Sequence, residues 1–447
     1  MLRIFRCFAV DSGASPLIVS RGGATEYWPP GVNSSMSQPP IATRGWTVTI
    51  AALCINLVLG VLYAWSVMGK ALVTQWHWSK TQAAMPFTVS TVAFAIMMIF
   101  AGRLQDRIGP RIVATCGGLI LGLGLIASSF ARTPEAILLT FGVVGGIGIG
   151  LGYSATTPPA IKWFPAARKG LITGIVVSGV GLAAVYISPL TQYLLKISSI
   201  SQTFLALGIG TVIVVVILAQ FLANPPAGYV PDSSPVNPAK PAVTASAPRS
   251  DLDWHEMLRS SQFYLLWTMF VLGAAAGLMI IAHIAIIAKE QARWEWGFVP
   301  LAMLAVFNTL GRVVSGYLSD RMGRTRTMTL AFVAQATNMF LFSQYTSPVL
   351  LVFGSAFTGL CYGTIFTLMP AAIADFYGVR NLGVNYGILF TGFGVAGVLG
   401  PILGGQIRDG LGSYTYSYII SAVLLLVGAA IAFAIRSPGY EPASAKN

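Results

Sequence analysis

Charge is what this chain has least of. Asp, Glu, Lys and Arg together supply 9% of its 447 residues, and none of the 14 acidic residues lies inside an apolar run. A soluble surface needs about a quarter to a third of its residues charged, so a large water-covered fold is excluded. Histidine is nearly absent: the three present form no His-x-x-x-His pair, and no carboxylate lies near them in an apolar run. That excludes a metal centre of ordinary ligand spacing. The four cysteines, Cys7, Cys54, Cys116 and Cys361, are scattered, three of them in apolar runs. No pair has redox or ligand spacing, so they read as small apolar side chains. With no nucleophile constellation and no cofactor motif, neither a cofactor nor enzyme activity is expected.

What is abundant is apolar sequence. Hydrophobic residues are 55% of the chain, and runs of roughly twenty recur from residue 46 to residue 435. Each is long enough to cross a ~30 Å hydrocarbon layer as a helix rising ~1.5 Å per residue. The fold class is therefore an all-α membrane protein of twelve transmembrane helices. The net charge of +13 follows from this topology. With the N-terminus cytoplasmic, 19 of the 27 Lys and Arg fall on cytoplasmic segments, 7 lie outside and Arg312 is within a span. This is the positive-inside pattern, so both termini are expected in the cytoplasm, the bilayer is the main partner, and no nucleic acid is implied. The plasma (inner) membrane is the expected location, and a monomer the expected state.

Residues 1–43 lack apolar periodicity and read as a disordered tail. The run Leu17-Ile-Val is too short for a signal peptide core, and Met36 is an alternative start. Residues 44–223 and 261–436 read as two six-helix units, joined by a Pro-, Ala- and Ser-rich flexible linker at 224–260. Residues 437–447 form a short polar tail.

The units repeat. Gly102, Leu104, Asp106, Arg107 and Gly109 return 214 residues later as Gly316, Leu318, Asp320, Arg321 and Gly323. Pro158-Pro-Ala-Ile-Lys-Trp-Phe164 is echoed by Pro370-Ala-Ala-Ile-Ala-Asp-Phe376. A twelve-helix chain made of two homologous sixes is a transporter architecture. The doubled Gly-x-Leu-x-Asp-Arg-x-Gly, between spans 2 and 3 and again between spans 8 and 9, resembles the signature loop of the major facilitator superfamily. In that family the loop Asp and Arg bridge neighbouring helices and close the cytoplasmic side. The resemblance implies a gating role for Gly102, Asp106, Arg107, Gly316, Asp320 and Arg321. The alternative is a solvated basic turn.

Span 8 places Asn308, Arg312 and Ser315 at i, i+4 and i+7, a polar stripe on one helix face. An arginine inside hydrocarbon costs about 2.5–3.5 kcal/mol on insertion scales, so it needs a cavity, a partner or a ligand. No span carries an acid to neutralise it, and its planar fork fits a carboxylate. The alternative is that span-end carbonyls or water satisfy Arg312. On span 1, Asn56, Gly60 and Tyr63 share one face. Span 4 is glycine-rich and ends its run at Tyr153, span 10 carries Tyr362, and span 11 has Thr391 among glycines. His283, in the outer part of span 7, reads as a packed residue or as a proton carrier.

Three stretches are similar to the oxalate/formate antiporter family and the monocarboxylate transporters. They are Asn56-x-x-x-Gly60-x-x-Tyr63-Ala-Trp65-Ser66, Gln262-Phe-Tyr-Leu-Leu-Trp267 with His283, and Asn308-x-x-x-Arg312. The resemblance implies that Arg312 and Asn308 bind a substrate carboxylate in a cavity lined by Tyr63, Tyr153 and Tyr362. The exchanger pattern has a lysine on span 11 that this chain lacks. A single cation favours a small monocarboxylate anion such as pyruvate, lactate, formate or glyoxylate over a dianion such as oxalate. Relatives in the eukaryotic branch have an aspartate where Asn308 stands, which leaves open whether a proton is carried by the substrate, by His283 or by water, or whether anions exchange. A transporter-like nutrient sensor is the alternative of another class; the short linker and tail speak against it.

Overall fold

The computed structural model describes residues 41–226, 229, 231 and 251–436. The expectations for residues 1–40 and for the tail 437–447 lie outside the described residues. Met1–Ile41 and Ala42–Asn447 form separate units, and everything below concerns the second.

Its elements are helices throughout, with no strand among the described residues. Eleven are long and apolar enough to cross a membrane: α1 (Thr43–Gln75), α2 (Gln82–Ile108), α3 (Pro110–Phe130), α4 (Pro134–Lys162), α5 (Ala166–Ile197), α6 (Ile200–Ala219), α7 (Ser261–Ala292), α8 (Phe298–Met322), α10 (Pro348–Tyr377), α11 (Leu382–Leu411) and α12 (Thr415–Ala434). The ninth in order, α9 (Arg324–Phe342), has 19 residues. Its Arg324, Arg326, Gln335 and Asn338 dilute its apolar content, so length and composition alone give eleven spans where the sequence pattern gives twelve.

The chain breaks between helices are chemically marked. Gly109 and Gly323, the last glycines of the two repeated loops, hold φ of 90° and 94°. Side chains other than glycine rarely adopt that conformation, which lets α2 turn into α3 and α8 into α9 without an intervening loop. Ser79 and Ser199 each close a reciprocal hydrogen-bond pair with a glutamine three residues on. Such capping boxes satisfy amides left unpaired at a helix start.

Two spans are irregular in mid-course. Gly60–Ala64 in α1 tightens to 3₁₀ geometry, and Leu138–Gly145 in α4 widens to π geometry. Both departures are common near functional sites. Gly60 explains the first in part, because a methyl there would lie 2.0 Å from Cβ of Ala183 on α5.

Packing pairs α8 with α10 and α5, α2 with α4 and α11, α3 with α6, and α9 with α12. The α5–α8 and α2–α11 pairs join residues 44–223 to residues 261–436. Arg312 and the repeated loop motifs lie along these two seams.

Candidate functional site

Arg312 is only 2% exposed, among the largest fully buried side chains of the protein. One turn earlier Asn308 accepts a 3.1 Å hydrogen bond from Arg312 Nε through its side-chain oxygen. Nη1 donates to the main-chain carbonyl of Val177 on α5. The guanidinium carbon stands 4.9 Å from the centroid of the Phe366 ring of α10, a cation–π contact. Thr367 donates to the Arg312 carbonyl at 3.0 Å, tying α10 to the same turn of α8. Among the described residues no Asp or Glu pairs with this arginine. The side chain is thus held in place by two acceptors and a ring, with no carboxylate among the described residues to balance its charge.

The three tyrosines named from the sequence gather around it. Tyr63, Tyr153 and Tyr362 all lie within electrostatic reach of Arg312 and of one another. Tyr63 sits in the 3₁₀ turn of α1, half-buried, whereas Tyr153 and Tyr362 are buried. Tyr386 of α11 joins them, its hydroxyl approaching that of Tyr153 without closing a hydrogen bond. Aromatic rings continue the wall across both sixes. Phe94 and Tyr153 stand 5.0 Å and 5.6 Å from Phe390, Phe390 stands 5.2 Å from Phe393, and Phe393 stands 5.2 Å from Phe366. Sequence reading did not single out Phe366, Phe390 or Tyr386. Phe366 and Tyr362 sit four apart on α10, the spacing that would have placed both on one face.

Two polar residues on neighbouring spans have other duties. Asn56 donates to Val176 O at 2.9 Å and accepts from Thr156 at 3.2 Å, joining α1, α4 and α5. Thr391, the polar residue among the glycines of α11, accepts a 2.9 Å hydrogen bond from the Trp267 indole and donates to Ile388 O. Neither adds a charge near Arg312. His283 is also engaged, its Nε2 lying 3.0 Å from Pro401 O and its Nδ1 3.2 Å from the Tyr414 hydroxyl. A carbonyl can only accept, so Nε2 carries the hydrogen and Nδ1 receives the tyrosine's. The structure places His283 between α7, α11 and the turn before α12.

At the end of the bundle that carries the repeated loops, two carboxylates reach across the seams. Asp320 of α8 accepts from the amides of Gly170 and Leu171, each at 2.8 Å, at the start of α5. Asp106 of α2 accepts from the Val384 amide at 3.0 Å, at the start of α11. A carboxylate there meets unpaired amides and the positive end of the helix dipole. Contact is close because all four backbones carry glycine. A methyl on Gly102 would lie 2.1 Å from Gly383 O, and one on Gly316 would lie 2.3 Å from Gly170 O.

Ion pairs reinforce both sides unequally. Lys162 stands 3.6 Å from Asp106, whereas Arg324 binds Asp320 at 2.6 Å and Asp375 at 2.9 Å, with Lys169 a further 3.5 Å from Asp375. The loop arginines named from the sequence are elsewhere. Arg107 is exposed, and Arg321, also exposed, lies over the Tyr317 ring at 4.3 Å. The arginine that pairs with the loop aspartate is Arg324, three residues on. The spacing Asp320–Arg324, one turn apart, was the available signal.

The model of the Major Facilitator Superfamily matches residues 46–342 and 300–447. The chain belongs to that superfamily. It is 25% identical to the oxalate:formate antiporter of Oxalobacter formigenes over 395 residues, 88% of this chain and 91% of that one. It is also 25% identical to monocarboxylate transporter 13 of Rattus norvegicus, over 88% of this chain and 90% of that one. Among solved structures, the superfamily's proton:xylose symporter XylE matches with a TM-score of 0.67 at 11% identity, covering 88% of this chain and 96% of that one. The last likeness concerns fold alone. This superfamily member is thus a membrane-spanning transporter, related to carriers named for small carboxylates.

Proposed function

We propose that the protein is a secondary active transporter of small monocarboxylates, working by alternating access about a site centred on Arg312. The observation that carries the reading is a buried arginine with no acidic partner among the described residues, already oriented by Asn308, Val177 O and Phe366. A buried charge held this way favours an anion that supplies the missing counter-charge. The tyrosines Tyr63, Tyr153 and Tyr362, within electrostatic reach of Arg312, would offer hydroxyls to the second carboxylate oxygen. Relatives named for oxalate, formate and monocarboxylates support the class of cargo. Thr391, a neutral residue already bonded to Trp267, argues against a dianion, because a second negative charge would meet no second cation.

In this reading the loop-bearing end is cytoplasmic, in keeping with the positive-inside count. Asp106 and Asp320, with Gly102 and Gly316 admitting the close approach, form its gate; Lys162 beside Asp106 and Arg324 beside Asp320 fill the parts assigned from the sequence to Arg107 and Arg321. Residues 44–223 and 261–436 rock about the midplane, opening one side as the other closes.

Uptake of labelled pyruvate, lactate, formate and oxalate into liposomes holding the protein tests the cargo. Saturable monocarboxylate uptake is expected, and Arg312→Ala is expected to remove it. Each charge-assisted hydrogen bond lost is worth about 1.5–3 kcal/mol, a tenfold to hundredfold weakening. Preferred oxalate uptake, or an Arg312→Ala variant as active as the parent, overturns the reading.

A further inference from the structure

The two turns that receive the gate carboxylates are each held by one end of the chain segment that joins the two sixes. The start of α11 follows the turn after Tyr377, and that turn is gripped by residues 251–260. Asp251 Oδ1 accepts from the amides of Val379 at 2.9 Å and Arg380 at 3.1 Å. The Leu252 amide donates to Tyr377 O at 3.1 Å, and its carbonyl accepts from Asn381 at 3.3 Å and Asn385 at 3.2 Å. The short helix Trp254–Arg259 then buries Met257, and Ser260 meets the Tyr377 hydroxyl at 2.7 Å. Asn385 is the residue after Val384, whose amide Asp106 takes.

The other end repeats the arrangement on the other side. The Trp163 indole, at the end of α4, donates to Ala223 O at 2.8 Å, and the Tyr229 hydroxyl donates to Trp163 O at 3.2 Å, the two rings 5.3 Å apart. Trp163 opens the turn that delivers Gly170 and Leu171 to Asp320. The sequence reads 224–260 as a flexible linker; its described ends are tied down at these two places. Gly378 shows how tight the grip is: its φ is +83°, and a methyl on it would lie 2.1 Å from Asp251 Oδ1.

We propose that the described ends of the joining segment are straps on the cytoplasmic gate, in which Asp251 and Tyr229 are positioning residues that hold the α11 and α5 amides where Asp106 and Asp320 can reach them. Neither residue touches the midplane site. Losing the strap lets each turn move without its carboxylate, so the closed cytoplasmic state weakens while the bundle stays folded. Asp251 is exposed, so its replacement leaves the core intact. The inference rests on the reading of the two aspartates as a gate, and the experiment separates the two.

Spin labels at Arg111→Cys and Arg326→Cys, exposed positions in the first turns of α3 and α9, report cytoplasmic opening as a distance distribution. The full chain is used in lipid nanodiscs, with its four native cysteines replaced by serine. Asp251→Ala is expected to raise the ratio of open to closed distances about fivefold, and Tyr229→Phe about twofold, the range that one or two partly exposed hydrogen bonds supply. Asp251→Asn keeps the Oδ1 acceptor and is expected to return most of the way to the parent distribution. Asp106→Asn serves as the gate reference. If Asp106→Asn opens the cytoplasmic side and Asp251→Ala leaves it unchanged, the strap is refuted and the gate stands. If neither variant moves the distribution, both fail. Because no substrate is needed, the outcome is independent of the cargo.

Discussion

Phe366 and Asn308 act on Arg312 in different ways, and substitution separates them. Asn308 fixes the rotamer through one neutral acceptor at 3.1 Å; Phe366 offers a ring face 4.9 Å from the charge. A desolvated cation–π contact is worth up to about 2 kcal/mol, so Phe366→Leu is expected to raise the KM for a monocarboxylate by up to about thirtyfold. Arg312→Lys keeps the charge but loses the planar fork and the Nε bond, and an ammonium is more strongly hydrated. Its uptake is expected to lie between that of the parent and Arg312→Ala. A lysine variant equal to the parent would show that charge alone binds the anion and that the orienting contacts are incidental.

At the scale of elements, the contacts of Asp106 and Asp320, which we read as a gate, depend on helix starts meeting helix ends through glycine. A methyl at Gly383 would meet Gly102 O at 2.5 Å, the side-chain oxygen of Gln105 at 2.6 Å and that of Asp106 at 2.8 Å. Gly383→Ala therefore is expected to push α2 and α11 apart, to expose the α11 amides to water and to favour the inward-open state. Cysteine labelling from the cytoplasmic side would then increase, whereas in Gly210→Ala, where a methyl meets nothing within 4 Å, it is expected to stay at the parent level. Much of this element-level architecture was legible in the sequence. The repeat of Gly-x-Leu-x-Asp-Arg-x-Gly located both helix junctions, and the polar stripe on α8 located the buried arginine. Two things were not legible. The partner of each loop aspartate is a set of main-chain amides nearly 150 and 280 residues away, and amides carry no residue identity for a pattern to detect. The ninth span was legible by position but not by hydropathy, because Gln335 and Asn338 are buried in polar contacts within the bundle. Asn338 donates to Gly354 O and to the Thr358 hydroxyl there.

For the whole molecule, the coupling of transport to a proton follows from which groups can carry one between the two sides. Asn308 cannot, and among the described residues the carboxylates that pair or cap lie at helix ends, outside the ring of tyrosines around Arg312. His283 is held by Pro401 O and Tyr414, so taking up a proton at Nδ1 would require the Tyr414 hydroxyl to turn from donor to acceptor on every cycle. Glutamine at that position retains a donor for the carbonyl and an acceptor for the hydroxyl without titrating near neutrality. Uptake of a monocarboxylate driven by an inward proton gradient is therefore expected to survive His283→Gln with its gradient dependence unchanged, the proton entering on the substrate's own carboxyl or being replaced by an exchanged anion. Counterflow with unlabelled substrate inside the liposomes separates those two routes: acceleration by internal anion without a pH gradient marks exchange, and dependence on the gradient alone marks symport. A His283→Gln protein that still exchanges anions but no longer responds to the gradient would instead place the proton on the histidine, and would move the coupling site from the central cavity to the outer end of α7.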